Sequence, residues 1–251
     1  MNGRIVLRLA AAGALLATMV AVHASTAAAA PLSVHLGAAP GNAETASALR
    51  IFLTLTALSF IPAALICMTS FVRIVVVLSM LRHAIGLTDT PPNMVIISLA
   101  MFLTLFSMSP VFDKVNGQAV QPYLANKLEP MAALELAKSP VRDFMVRQTR
   151  EQDLMLMVDV AHARRPATVA DIQFVHLVPA FMLSELRAAF QIGFVIYLPF
   201  LLIDLIVSSV LMALGMMMVP PTTISTPLKI LLFVLIDGWN IVIKALLGTF
   251  H

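Results

Sequence analysis

Cysteine is nearly absent from this chain. Cys67 is the only one in 251 residues, which excludes an internal disulfide framework and any multi-cysteine metal site. It lies in an apolar run with no base beside it, so it reads as a small buried hydrophobe. Charge is scarce too: 12% of residues are charged and 60% are hydrophobic, whereas soluble domains average about 25% charged. That balance argues for an integral membrane protein. The net charge of +3 is too small to point to nucleic acid. Catalytic signatures are also missing: there is no G-x-S-x-G, no H-E-x-x-H and no Walker-type glycine loop. His35, His83, His162, His176 and His251 are scattered and unpaired. The chain is therefore expected to be no enzyme, to bind no metal and to need no cofactor.

What is present begins with a secretory pattern. Arg4 and Arg8 form a basic n-region, Leu9–Val22 an apolar h-region, and small residues offer cleavage after Ala24 or Ala29. Residues 1–29 are read as a cleaved signal peptide, with an uncleaved first membrane helix as the alternative. Residues 30–50 are read as a flexible segment rich in Ala, Ser, Thr, Gly and Pro. The mature N-terminus would then lie outside the cytoplasm.

Residues 51–112 read as an apolar helical hairpin. Ile51–Val72 is 22 residues without a charge, enough to span a hydrocarbon core of about 30 Å. Pro62 should bend it, and the helix is expected to continue past Arg73 to Leu81. Arg82 and His83 mark a cytoplasmic end, Gly86 and Pro91–Pro92 a turn, and Asn93–Ser109 a second uncharged run.

Residues 113–185 differ in kind. Asp113–Asp171 holds eight basic and eight acidic residues. Leu124, Leu128 and Met131, then Val141, Phe144 and Met145, recur at helical spacing. Ser139–Pro140 reads as a helix start. This is expected to be a small water-exposed helical domain, on the extracytoplasmic side by the count of crossings.

Residues 186–251 return to apolar sequence as a second helical pair. Ala188–Val219 is 32 residues with Asp204 as its only charge, longer than the roughly 20 needed for one span. It reads as a long bent helix or a re-entrant hairpin broken near Pro199. Thr226–Pro227 is expected to start the last helix, which ends near Gly248. Simple hydropathy gives four spans, but Arg73, Asp204, Asp237 and Lys244 all demand protein or water neighbours. Such a chain is built to pack against other chains.

Two features stand out. A carboxylate at membrane depth is expensive, so Asp204 is expected to pair with a base on a neighbouring helix or subunit; Arg73, Lys229 and Lys244 are the candidates. Asp237 has the same reading, with Gly238–Trp239 beside it setting it nearer an interface. Met216, Met217 and Met218 stand between Gly215 and the Pro220–Pro221 pair, a setting for a soft loop. Methionine is unbranched and polarizable, and a hydrophobic constriction blocks ions by dewetting. The three read as a compliant pore seal, or as ordinary core methionine in a chain with 16 of them.

Several segments in order resemble the FliP family of flagellar type III export-gate subunits. They are Thr69–Gly86 (TSFVRIVVVLSMLRHAIG), Thr90–Asn93 (TPPN), Phe144–Glu151 (FMVRQTRE), Ser184–Gly193 (SELRAAFQIG), Pro199–Pro221 and Leu232–Trp239 (LFVLIDGW). The resemblance runs from about Ile51 to the C-terminus. It implies an all-α membrane-associated protein that assembles in several copies, as a pentamer, into a funnel-like helical gate. Its partners would be the two small FliQ-type and FliR-type membrane subunits and other export-apparatus membrane proteins. Its substrates would be unfolded flagellar proteins, and its place the flagellar basal body in the bacterial inner membrane, with the exposed domain periplasmic. The motif LMALGMMMVPP then favours the methionine seal. Glu185, which the bland reading makes a surface ion-pair partner, becomes an assembly residue, and Phe144 a self-association residue. The family often places a second aromatic near Met157, and this chain has methionine there. A virulence-type (injectisome) gate subunit is the alternative within the family, and the N-terminal signal favours the flagellar member. A small-solute channel or transporter is the alternative outside it; it predicts internal pseudo-symmetry, which the sequence lacks.

Overall fold

The computed structural model describes residues 42–163, 168, 171–216 and 218–250. The expected signal peptide, the first part of the segment after it, and Met217 lie outside these residues. Every regular element among the described residues is helical, as the apolar runs and the absence of strand alternation require. Backbone packing divides the chain into Met1–Thr56 and Ala57–His251. Of the first unit, residues 42–56 are described, and they are helical.

The elements in order are α1 (Asn42–Cys67), α2 (Phe71–Ala84), α3 (Asn93–Ser107) and α4 (Ser109–Val115), followed by a π-helical turn (Asn116–Val120) and α5 (Gln121–Leu124). Then come α6 (Pro130–Gln148), α7 (Glu151–Val160), α8 (Phe174–Ala213), α9 (Pro221–Leu235) and α10 (Gly238–Gly248).

The run expected to be one helix to Leu81 is two. Thr69 breaks it: its hydroxyl donates to the Ile66 carbonyl at 2.9 Å and accepts from the Phe71 amide at 3.4 Å. A threonine that bonds nearby backbone competes with the helix ladder in this way. The hairpin partner of α3 is therefore α2. It turns through a Schellman motif in which Gly86 has φ +88° and Leu87 N–H reaches the Arg82 carbonyl at 3.2 Å. Two further expected helix starts lie inside helices: α6 begins at Pro130 and contains Pro140, and α9 begins at Pro221 and contains Pro227. In each case an earlier proline takes the first turn, where a missing N–H costs nothing.

Helix α8 is the organising element. It runs 40 residues through Pro179 and Pro199 without a break, so the re-entrant alternative does not occur. At 1.5 Å per residue it is about 60 Å long, twice the roughly 30 Å hydrocarbon thickness. It is the one described helix long and apolar enough to cross a membrane. Two bent pairs, α3 with 109–124 at 58° and α9 with α10 at 68°, would raise the number to three. Of the four apolar runs of simple hydropathy, two thus form elbows and one a single long helix among the described residues.

Two apolar cores share this helix. One joins Ile74, Val77, Leu78 and Leu81 of α2 to Ile96 and Ala100 of α3, Ala189 and Phe200 of α8, Phe233 of α9, and Val242 and Leu246 of α10. The other joins Met108 and Val111 to Phe144 and Met145 of α6, and to Leu177 and Phe181 of α8. The boundary expected at 185/186 therefore falls inside a continuous helix. Leu177 and Phe181 serve one core, Ala189 and Phe200 the other, and Ser184–Glu185 lie between.

The α9–α10 elbow depends on a glycine. Gly238 packs so close to Phe233 that a Cβ there would lie 2.2 Å from the ring. Phe233 is wedged in turn by Trp239, edge-on at 5.4 Å between ring centroids. Overpacking of this kind costs about 1–3 kcal/mol. Gly238→Ala should therefore lower the thermal midpoint of the purified full chain, and Phe233→Leu in the same background should recover part of the loss. Additive effects of the two substitutions in a double-mutant cycle would rule out the contact.

Candidate functional site

The most densely bonded polar locus lies where the two cores meet on α8. Arg73 comes from the first turn of α2 and Glu185 from the fourth turn of α8; they are 3% and 0% exposed. The guanidinium grips the carboxylate with two bonds, Nε to Oε2 at 2.8 Å and Nη2 to Oε1. Nη2 also donates to Gln148 Oε1 at 3.1 Å, at the end of α6. Nη1 donates to Thr249 Oγ1 at 3.0 Å and to its carbonyl at 3.4 Å, beyond α10. The Phe250 ring covers the guanidinium carbon at 4.2 Å, a cation–π contact. All five arginine donors are thus used. Planar two-point bonding is what arginine offers and lysine does not.

A second buried carboxylate adjoins the first. Asp153 of α7 is 2% exposed and accepts from the Ser184 hydroxyl at 2.7 Å. That hydroxyl accepts from the Arg150 amide at 3.1 Å. Arg187 approaches Asp153 at 3.5 Å from one turn further along α8. Neighbouring residues of one helix turn, Ser184 and Glu185, therefore tie α8 to α7 on one side and to α2 on the other.

The far end of α8 forms a hairpin with α9. Asp204 Oδ2 accepts from Lys229 Nζ at 2.7 Å. Lys229 is almost buried and the Asp204 side chain is 33% exposed. Asp204 Oδ1 and the Ser225 hydroxyl are buried without a hydrogen-bond partner among the described residues. Of the three candidate bases, Arg73 is committed to Glu185 and Lys244 is exposed on α10, which leaves Lys229.

The methionine loop tops this hairpin. Helix α8 ends in a Schellman motif: Gly215 has φ +74°, its amide donates to the Met212 carbonyl, and the Met216 amide donates to the Leu211 carbonyl, both at 3.0 Å. Glycine bears the left-handed conformation at no steric cost. Pro221 then opens α9 at its first turn. Met216 is 44% and Met218 97% exposed. A core methionine would be buried, so within this protomer the loop is not core packing.

Two expected site residues lie elsewhere. Asp237, expected to pair with a base nearer an interface, is exposed within the protomer. It occupies the α9–α10 elbow at φ 52°, and its carboxylate accepts from Asn240 Nδ2 at 3.0 Å. The 68° bend turns it outward. Phe144, expected at a self-association surface, is 4% exposed. It packs edge-on against Phe181 at 5.9 Å within the protomer, so the groove between α6 and α8 already holds it. Gln148, Asp153, Ser184, Thr249 and Phe250 are members of the polar locus that sequence reasoning did not single out.

Comparison with known proteins places these features in a family context. A model described as the FliP family matches residues 54–246. The chain is 48% identical over 207 residues to a flagellar biosynthetic protein FliP of Bacillus subtilis, covering 82% of this chain and 94% of the relative. It is 50% identical over 205 residues to the Agrobacterium fabrum protein of that name, covering 81% and 84%. Against the Caulobacter vibrioides protein of that name it is 43% identical over 245 residues, covering 98% and 92%.

Removing one partner of a buried ion pair costs about 3–5 kcal/mol, whereas replacing both by apolar groups is often neutral. Glu185→Leu and Arg73→Leu should each reduce the yield of folded protein sharply. The Arg73→Leu, Glu185→Leu double variant should recover much of it. Independent, additive losses in the cycle would show that the two side chains are not coupled.

Proposed function

The chain belongs to the FliP family, and from that premise we propose that it is a core subunit of the flagellar type III protein export gate. In this reading it works in flagellar biosynthesis as a structural and transport component rather than an enzyme. Several copies form a conduit for unfolded flagellar proteins, together with the two small FliQ-type and FliR-type subunits and further membrane proteins of the apparatus. A pentamer in the inner membrane, at the flagellar basal body, with residues 113–185 on the periplasmic side, completes the proposal. The flagellar names of the relatives favour this over the injectisome alternative.

The observation that carries the gating part is the exposure of Met218 and Met216 at the tip of the α8–α9 hairpin. The hairpin is held by Asp204–Lys229, about 12 residues or 18 Å below the tip, so the arms are fixed while the tip is free. The loop backbone is short and terminated by glycine on one side and a proline pair on the other. Thioether side chains from several copies would meet on a common axis. Each is flexible and apolar, with weak affinity for its neighbours. Together they would exclude ions by dewetting and yield to a passing polypeptide.

Assembly draws support from the surface of α8 and its neighbours. Phe190, Phe194, Val195, Leu205 and Ile206 are all more than half exposed. Exposed apolar side chains on this helix run from Val175 to Met212, about 55 Å at 1.5 Å per residue and more than a hydrocarbon core of roughly 30 Å can cover, so apolar contacts with other chains cover part of them.

Replacing Met216–Met218 with glycine in the native host tests the seal. Small-ion leak should rise while co-purification shows an assembled complex and some export persists. An assembled complex with no leak and normal export would reduce these methionines to packing.

A further inference from the structure

Sixteen methionines make this chain rich in oxidisable sulfur, and the fold sorts them by access. Met108 and Met145 are 1% and 0% exposed, inside the core around Phe144 and Phe181. Met94, Met131 and Met212 are exposed on helices. Met218 is 97% exposed and lies in the loop between α8 and α9. Met94 and Met212 lie among other exposed apolar residues, Val95 and Ile97 for the first, Val210 and Leu214 for the second. Assembly covers faces of that composition. Met218 is the most exposed of the described methionines.

We propose that Met218 is an oxidative modification site whose sulfoxide opens the closed seal; the second half of this rests on the seal reading above. The oxidant class is a water-soluble peroxide. The thioether sulfur attacks one oxygen of hydrogen peroxide, an S–O bond forms as the O–O bond breaks, and the proton on the attacked oxygen passes to the departing hydroxide, which leaves as water. Sulfur gives up two electrons and the peroxide takes them. The product is a polar, chiral side chain in place of a flexible apolar one. Dewetting depends on an apolar constriction; a sulfoxide in each copy supplies strong acceptors there, and water with its ions can fill the gap. The property that makes methionine compliant, its soft sulfur, is the one that makes it oxidisable.

The test uses membrane vesicles carrying the assembled complex, treated with hydrogen peroxide and read by peptide mass mapping and by ion leak. Met218 should gain one oxygen several-fold faster than Met108 and Met145, and leak should rise in step with that modification. Met218→Leu keeps an apolar side chain of similar size without sulfur, and vesicles with it should resist the peroxide-induced leak. Oxidation of Met218 no faster than of Met108 and Met145 would overturn the site. A leak that rises equally in the Met218→Leu vesicles would overturn the link to this residue. If glycine replacement leaks but oxidation of Met218 does not, this inference fails and the seal reading stands. If neither leaks, both fail.

Discussion

The fold turns on one buried cation. Arg73 brings a full charge to a place with 3% exposure, where an unpaired guanidinium would cost several kcal/mol. Its five donors are met by groups from three separate stretches of chain, Glu185 of α8, Gln148 of α6 and Thr249 beyond α10, around an arginine on a fourth, α2. No subset of these helices can satisfy it alone. A hydrophobic core tolerates many arrangements of similar volume, but a planar fork with fixed bond directions admits far fewer. The apolar cores on either side supply the drive to fold, and the arginine restricts which helices meet where the cores join.

That restriction matters because α8 belongs to both cores. Its first turns pack with the charged helices and its later turns with the apolar ones. Ser184 and Glu185 lie at the change. A displacement of α8 along its axis by one turn, about 5.4 Å, would break the Glu185–Arg73 and Ser184–Asp153 contacts together. The two contacts thus index the long helix in register, and the hairpin tip follows from that register. A seal at the tip would require that several copies present it at the same height; a helix indexed by directional polar bonds does this better than one held by apolar contact alone.

Much of this architecture is legible in the sequence, and what is not legible has physical causes. Helical class, the charged middle segment and the loop at Met216–Met218 follow from composition and punctuation. The Asp204 partner was readable with one more step. In a hairpin turning at Met216–Met217, the residue 12 before the first meets the residue 12 after the second, and these are Asp204 and Lys229. The Arg73–Glu185 pair has no such signal, since 112 residues separate its members and no local period links them. The break at Thr69 and the elbow at Asp237 were hidden for another reason. Hydropathy reports only whether a run is apolar; a threonine hydroxyl bonding backward, or a ring packed against Gly238, ends a helix without changing that average. The outward Asp237 and inward Phe144 both follow from such tertiary details, one from the elbow and one from the α6–α8 groove.

The buried atoms that lack a partner point the same way as the exposed apolar surface. Lys229 satisfies only one oxygen of Asp204; Oδ1 and the nearby-in-sequence Ser225 hydroxyl remain without a bond among the described residues. Native interiors rarely leave such groups open, and a carboxylate oxygen is among the costlier ones to strand. Exposed apolar side chains surround the α8–α9 hairpin over the same length. Under the proposed function a single cause would account for both observations: as one wall of a larger helical assembly, the hairpin would receive donors as well as apolar cover from neighbouring chains. The isolated protomer then carries, at Asp204, an incomplete polar site in the middle of an incomplete apolar face, and completing the one completes the other.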